Sequence, residues 1–369
     1  MSLRVATVIT RLEGGAGAVA LRGAEALDPA EFEVTVVAGS GRLLPEAESA
    51  GLETVVEPAL RAPISPLHDL LALHRLTGLL RRFDVVHTHC SKAGAVGRVA
   101  ARRAGVGRIV HTFHGFGFHR FQPAYRRRTY VEVERRLGRI TDLALCVGSG
   151  VAVEALQRGL LPPERIRTIG VAVDHSAPVR EQASRQRARQ RLGLGAADVV
   201  VGAVGRLTYQ KAPEHFIAAL AALHRRDVVG VWIGGGAEAD RVRAQATAAG
   251  VRLVLTGERD DVVQLLPALD VFALPSRYEG LPLAVVEAMV CGVPVVATAV
   301  NAVSDVVVPG ETGLLVPPHR PDLLATAVAH LLDHPEQAAR LAAAARARLD
   351  GRHEIGELAA ALGRAYRAE

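Results

Sequence analysis

Short runs of β-branched and other apolar residues alternate along this chain with longer Ala-, Leu- and Arg-rich stretches whose apolar positions recur at helical spacing. A strand buried on both faces reads as a continuous apolar run, and its crossover helix as a one-sided stripe, so the alternation predicts parallel sheets wrapped by helices. One series of strands is expected at residues 5–10, 34–38, 54–56, 85–89, 109–112 and 143–147. Helices are expected after Gly17, over 66–82 with Pro66 in the first turn, and over 94–104, 123–139 and 151–158. A second series is expected at 199–204, 228–233, 253–256, 271–274, 295–297 and 313–316. Between them lie a short apolar strand at 166–174 and a polar, Arg- and Gln-rich stretch at 179–191, read as the crossing between domains. Ile355, Leu358, Leu362 and Tyr366 form one stripe on a last helix. That helix, 353–369, is expected to cross back onto the first domain, giving domains at 1–173 plus 353–369 and at 174–352.

A length of 369 residues agrees with two domains, and 49% hydrophobic with 22% charged residues excludes wholesale disorder. Three cysteines without a C-x-x-C pair exclude a disulfide scaffold and fit a reducing compartment. The first apolar run is only six residues long and lies between Arg4 and Arg11, so no secretory leader is expected. The charge-free stretch 288–304 contains Gly292, Pro294 and Asn301, which disfavours a membrane span. A cytoplasmic protein is the expectation, peripheral at the inner face of the membrane if the basic segment described next engages lipid.

Charge is unevenly placed. The formal net charge is +6, yet 92–139 holds twelve Lys and Arg against Glu132 and Glu134, a balance of +10 that leaves −4 for the rest. The segment reads either as a solvated arginine face or as a surface for an anionic headgroup or phosphorylated acceptor; no nucleic-acid-binding motif accompanies it. Of the 44 cations only Lys92 and Lys211 are lysines, a residue that places a compact point charge where phosphate sites want one.

Several motifs carry candidate chemistry. Gly14-Gly15-Ala16-Gly17 follows the first strand, either as a structural tight turn or as a loop whose amides approach a phosphate. The second strand ends in Ala38-Gly39 without the acidic residue a dinucleotide ribose needs, which argues against a nicotinamide or flavin enzyme. His87, His89, His111 and His114, with His119 beyond, gather near the carboxyl edge of the first sheet. Hydrogen bonding to a hydroxylated ligand suits His114, and a satisfied core histidine suits His87. No carboxylate or cysteine arrives at ligand spacing, so no metal is expected. Arg206 and Lys211 fall on the loop after the strand at 199–204, where two cations suit a diphosphate. Glu279 and Glu287 lie eight apart within Ser276-Arg277-Tyr278-Glu279-Gly280-Leu281-Pro282-Leu283, a loop that leads into a helix near Leu283. The amides from Gly280 to Leu283 are then free for an anion, and each carboxylate suits vicinal sugar hydroxyls or, more plainly, a helix cap and a surface position.

Gly205-Arg206 with Lys211, and Glu279-x7-Glu287 inside Ser-x-x-Glu-Gly-x-Pro, resemble the retaining glycosyltransferases of family 4, α/β proteins of the GT-B fold in which two Rossmann-like, doubly wound parallel-sheet domains face a deep cleft. The resemblance covers nearly the whole chain, and 111–116 and 88–94 look like enzymes of bacterial surface-polysaccharide assembly. It implies transfer of a sugar from a nucleoside-diphosphate sugar to an acceptor hydroxyl, on a lipid-linked glycan or a natural-product aglycone, with no divalent metal required. The implied catalytic residues are His114, Glu279, Arg206 and Lys211. Donor contacts are implied at Gly15, Arg206, Lys211, Arg259, Glu279, Gly280, Leu281, Pro282, Leu283 and Glu287. Acceptor-side candidates are His89, Lys92, His119 and Arg126, and the segment 92–139 is the candidate contact with an anionic membrane. A GT-B sugar-nucleotide epimerase or hydrolase, and a non-catalytic binder of nucleotide or anionic lipid, are the alternatives. The chain departs from the family at Asn301-Ala302, where many members carry two glycines, so positive φ is expected to be harder to reach there.

Overall fold

A computed structural model describes residues 2–349 and 353–368 and divides into two units, Met1–Ala172 with His353–Glu369, and Val173–Arg352. The return point expected at 352 lies outside the described residues. The first unit runs β1 (Leu3–Arg11), α1 (Gly14–Glu25), β2 (Phe32–Ser40), α2 (Leu44–Ser49), β3 (Glu53–Val56), α3 (Pro66–Leu80), β4 (Val85–His89), α4 (Ser91–Ala104), β5 (Arg108–Phe113), α5 (Ala124–Gly138), β6 (Leu143–Cys146), α6 (Ser149–Gln157) and β7 (Ile166–Thr168). All seven strands are parallel, in the order β3-β2-β1-β4-β5-β6-β7. Central β1 pairs Val5 with Val34 on one side and Val85 on the other, and its Val5, Ala6, Val8 and Ile9 are wholly buried, which explains its unbroken apolar run.

The second unit runs α7 (Gln182–Arg191), β8 (Val199–Val204), α8 (Pro213–Ala222), β9 (Val228–Ile233), α9 (Ala239–Ala248), β10 (Leu253–Leu255), α10 (Val262–Leu265), β11 (Val271–Leu274), α11 (Leu283–Val290), β12 (Val295–Thr298), α12 (Val303–Val306), β13 (Leu314–Val316), α13 (Pro321–Asp333) and α14 (Pro335–Leu349). Its six parallel strands take the order β10-β9-β8-β11-β12-β13. Helix α15 (Ile355–Arg367) packs on α1, and its Leu358, Leu362 and Tyr366 join the core around Val5, Ile9 and Phe32.

Three segments differ from the sequence expectation. The strand at 166–174 ends at Thr168, after which the chain leaves the sheet and the Val171 carbonyl lies 3.0 Å from His353 Nδ1. The stretch 179–191 is no connector: Glu181 and Ser184 form a reciprocal capping box that starts α7, and Ala188 and Arg189 are buried. Helix α1 begins at Gly14 rather than after Gly17, so the glycines form its first turn. In both sheets the strand order reverses once, between β1 and β4 and between β8 and β11. Ligands of such folds bind outside the carboxyl ends of the strands at these switch points.

Candidate active site

At the second switch point, the loops leaving β8 and β11 are stitched together. The loop after β8 lies against the glycines that end β9: Gly205 N–H donates to the Ile233 carbonyl at 2.9 Å, Leu207 N–H to the Gly235 carbonyl at 2.8 Å, and Trp232 Nε1 to the Gly205 carbonyl at 2.7 Å. This approach requires Gly234, φ 138°, because a Cβ there would fall 2.2 Å from the Gly205 oxygen. Gly205, φ 150°, lets the Lys211 stem lie over it, since a Cβ would meet that side chain at 2.9 Å.

Lys211 thereby reaches the β11 loop, where its Nζ is 2.6 Å from Glu279 Oε1. Gln210 Nε2 donates to Glu279 Oε2 at 3.2 Å and to the Tyr278 carbonyl at 3.0 Å, and Arg277 N–H donates to the Gln210 carbonyl at 2.8 Å. The buried Arg277 guanidinium donates to the Tyr209 carbonyl at 2.6 Å, pairs with Glu214 and sits 4.0 Å from the Tyr209 ring centroid. From β12, Thr298 Oγ1 donates to the Ser276 carbonyl at 2.7 Å, and Asn301 Oδ1 accepts the Glu279 N–H at 3.2 Å. A buried carboxylate is costly without partners, and that of Glu279, 7% exposed, has two, Lys211 and Gln210, while its backbone N–H has a third partner in Asn301. Arg206 is exposed, and its side chain makes no hydrogen bond or ion pair among the described residues. Pro282 caps α11, whose first amides have no intrahelical partner, and Glu287 sits half-buried in its second turn. The arrangement offers a mobile guanidinium, a fixed ammonium and a helix N-terminus beside an anchored carboxylate, which suits a diphosphate bearing a hydroxylated group.

The first unit's edge is made of imidazoles. His89 Nδ1 is 2.9 Å from His114 Nε2, and the His87 and His89 rings are 4.1 Å apart. His87 is held by Tyr366 at 2.7 Å and Thr112 at 2.7 Å, so it is a satisfied core histidine. Loss of solvent pushes His114 down to about 4 and His87 to about 3, and His89 also falls well below the ordinary histidine range through burial. All three are neutral at pH 7 and act as hydrogen-bonding groups. No cluster of His, Cys, Asp or Glu with metal-holding geometry occurs among the described residues. Cys90, φ 63°, ψ 161°, holds the β4–α4 corner beside His89 in a conformation few side chains adopt, a kind of strain that gathers at functional turns.

Two family models match in tandem: one described as Glycosyltransferase Family 4 over residues 13–177, and one described as Glycosyl transferases group 1 over 184–348. The chain is 31% identical over 301 residues to the UDP-Gal:alpha-D-GlcNAc-diphosphoundecaprenol alpha-1,3-galactosyltransferase of Escherichia coli, which covers 79% of this chain and 77% of that one. It belongs to glycosyltransferase family 4. The alpha-D-kanosaminyltransferase of Streptomyces kanamyceticus is 30% identical over 272 residues, covering 70% of each chain. The crystal structure of HepE from Anabaena in complex with UDP and glucose superposes over 100% of both chains with a TM-score of 0.87 at 23% identity, which shows the GT-B fold.

The structure of this glycosyltransferase brings Lys211 and Glu279 into contact and leaves Arg206 and Glu287 on neighbouring elements. Gly15 is the second residue of α1, with its backbone exposed at the helix start. Arg259 follows β10, and its side chain is committed to Asp261 at 2.7 Å, which leaves its backbone as the group available to a ligand. Of the acceptor-side candidates, Lys92 is not a free cation: its Nζ is 2.5 Å from Asp69 and donates to the Pro63 carbonyl at 3.2 Å. His89 is buried, His119 half-buried, and Arg126 exposed on α5 with its guanidinium 5.8 Å from the Tyr130 centroid. The basic segment also hides one cation, since Arg98 is fully buried against Glu134 at 2.7 Å.

The expectation about Asn301 is corrected. It adopts φ 44° without glycine, because asparagine tolerates the left-handed region, and its side chain fastens the Glu279 loop. Arg277, Gln210 and Asn301 are the site residues that motif reading missed. A charged residue within an otherwise apolar, loop-forming signature was the available signal for Arg277, since a buried guanidinium must organise several acceptors around it.

Proposed function

We propose that the enzyme transfers a hexose from a UDP-sugar to a hydroxyl of a polyprenyl-diphosphate-linked glycan with retention of anomeric configuration, the second unit holding the donor and the first the acceptor. The observation that carries this reading is the Lys211–Glu279 pair, set beside exposed Arg206 and the start of α11. Negative charge grows on the diphosphate as the glycosidic bond breaks, so Arg206, Lys211 and the α11 amides bind the transition state more strongly than the ground state. Glu279 holds donor-sugar hydroxyls and Glu287 the ribose, while neutral His114, oriented by His89, hydrogen-bonds the sugar. The side chains include no evident nucleophile, and a departing phosphate oxygen takes the acceptor proton in a same-face displacement. Two cationic side chains do the neutralising, so no divalent metal is assigned. The uridine and the lipid-linked acceptor are drawn from the E. coli relative and from the UDP complex of HepE.

No described helix is long and apolar enough to cross a membrane, and the reading proposed for a lipid-linked acceptor is a peripheral contact through the basic segment 92–139. Helices α3, α4 and α5 pack in one layer whose first turns expose Leu67 and Leu70, at 81% and 65%, together with Arg126 and Arg128. Exposed leucines on α3 and exposed guanidiniums on α5 suit an anionic bilayer surface.

Thermal shift with uridine, guanosine, thymidine and adenosine diphosphates tests the donor, with stabilisation by UDP alone expected. Product analysis with UDP-hexoses, with and without a diphosphate-linked acceptor, tests the reaction: donor consumed only with acceptor is expected, and turnover without it points to a hydrolase or epimerase. Salt-sensitive sedimentation with anionic vesicles is expected, and its absence removes the membrane contact.

A further inference from the structure

A cavity of the second unit lies at the opposite end of the sheet from the donor loops. It has a volume of about 900 Å³ and opens where β8, β11 and β12 begin, at Val199, Asp270 and Pro294, whereas the loops of Lys211, Glu279 and Asn301 leave the other ends of those strands. Its walls are of two kinds. One is apolar, from Leu331 and Leu332 at the end of α13 and from Ala338 and Ala342 on α14. The other is charged and mainly cationic, with Arg180, Arg185, Arg225 and Arg346 against the carboxylates of Asp198 and Asp270.

The cationic wall is short of negative charge. Arg180 Nη2 and Arg185 Nη1 both bond Asp270 Oδ1 at 2.6 Å, while Arg189 Nη1 stands 3.7 Å from Oδ2. That second oxygen already accepts the Val200 N–H at 2.8 Å. One carboxylate thus serves both lining guanidiniums, Arg180 and Arg185, and Arg189, which does not line the cavity, leans on it too while its Nη2 donates to the Gly195 carbonyl at 2.6 Å and its Nη1 has no hydrogen-bond partner among the described residues. Burial, followed by the charge of Arg185, pulls Arg180 below its ordinary value. Arg346 is exposed at the rim and makes no hydrogen bond or ion pair among the described residues. Crowded guanidiniums cost free energy unless an anion joins them. A cavity of a few hundred to a thousand Å³ with a mainly apolar lining and a few convergent polar groups has the dimensions of a small-molecule site.

We infer that this cavity is a second ligand site, separate from the donor site, for an amphiphilic anion whose phosphate or carboxylate meets Arg180, Arg185 and Arg346 and whose apolar body lies along α14 and Leu331. The opposing possibility is that Arg180, Arg185 and Arg189 only fasten α7 to the sheet edge through Asp270.

Calorimetry on the full chain at low salt separates the two, with hexyl phosphate, inorganic phosphate and hexanol as probes. Hexyl phosphate is expected to bind once per chain at least tenfold more tightly than either of the others, because only it engages both walls. Arg346→Glu is expected to weaken that binding at least fivefold while leaving UDP affinity and thermal stability unchanged, and Arg206→Ala to leave hexyl phosphate binding intact. No hexyl phosphate binding, equal binding by hexanol, or binding lost in Arg206→Ala but retained in Arg346→Glu overturns the site. Because UDP binding is measured on the same samples, failure here is distinguishable from failure of the donor assignment.

Discussion

At the carboxyl edge of the second sheet, Lys211 and Glu279 meet at 2.6 Å within a mesh of hydrogen bonds from Gln210, Arg277 and Asn301. At the corresponding edge of the first, His89 and His114 meet at 2.9 Å, and burial keeps both uncharged. The topological position is the same in each unit, and the chemistry differs in kind. One edge concentrates formal charges held by loops; the other presents neutral donors and acceptors on strand ends. A leaving diphosphate needs charge placed in advance, because reorganising it during reaction is slow and costly. A sugar or acceptor hydroxyl needs hydrogen bonds alone, and neutral imidazoles supply both donors and acceptors for it.

The hardest blow to this contrast is Lys211→Ala. It removes the cation proposed to meet the diphosphate and also leaves Glu279 buried without its charge partner, so two penalties of about 1.5–3 and 1–3 kcal/mol combine. The expected fall in kcat/KM is roughly a hundredfold to a thousandfold, with a loss of stability on the order of 1–3 kcal/mol in denaturant unfolding. Lys211→Arg is expected to recover the charge but little activity, since a planar fork does not reproduce the single-point contact of Nζ with Glu279 Oε1 at 2.6 Å. Wild-type kcat/KM in Lys211→Ala sinks the charged-edge reading.

Arg206→Ala comes next and sharpens the comparison, because Arg206 is exposed and unpaired among the described residues. A loss of roughly tenfold to over a hundredfold in kcat/KM is expected with no change in Tm. A matched loss of stability would mean that Arg206 serves the fold instead.

Both lysines were singled out in the sequence by their rarity among 44 cations, and the two turn out differently. Lys211 stands in the donor loop, whereas Lys92 is spent on Asp69 and Pro63, a pairing made by residues far away in the chain that no local pattern displays. Apart from the strand expected at 166–174, the strands read to within two residues at each end, because a parallel strand buried on both faces is a bare apolar run. Helix α7 escaped for the opposite reason: an Arg- and Gln-rich segment without an apolar stripe looks like a connector, and only the Glu181–Ser184 box betrays its start. The motif glycines and carboxylates were legible since their spacing is local. The hydrogen bonds that position Glu279 were not, since Gln210, Arg277 and Asn301 come from three separate loops.

The neutral edge can be tested by pH. His87 and His114 are depressed to about 3 and about 4, so the unfolded chain, titrating near 6.5, binds protons that the folded unit refuses. Stability from these groups is therefore fully present above about pH 6.5 and is lost as pH falls from there towards 4, at up to about 1.4 kcal/mol per pH unit for each histidine. Calorimetric scans at pH 7.5, 6.5, 5.5 and 5.0 are expected to show Tm falling, and His114→Gln to show a shallower fall. A flat Tm across this range would mean the imidazoles are solvated and charged like ordinary ones.

The smallest expected effect bears on how the charged edge is held. Asn301 combines two functions at one position: its backbone accepts φ 44°, and its Oδ1 takes the Glu279 N–H. Asn301→Gly keeps the first and removes the second, whereas Asn301→Ala removes the hydrogen bond and also strains the turn. The lost hydrogen bond is worth about 0.5–1.5 kcal/mol, and left-handed backbone at alanine adds about 1. Donor KM is expected to rise roughly threefold to tenfold in Asn301→Gly with kcat nearly unchanged, and Asn301→Ala is expected to lose an additional 1 kcal/mol of stability. If both variants raise KM equally and neither loses stability, the turn is not strained and the side chain alone matters. If neither changes KM, Glu279 is held well enough by Lys211 and Gln210, and the charged edge owes its geometry to two loops instead of three.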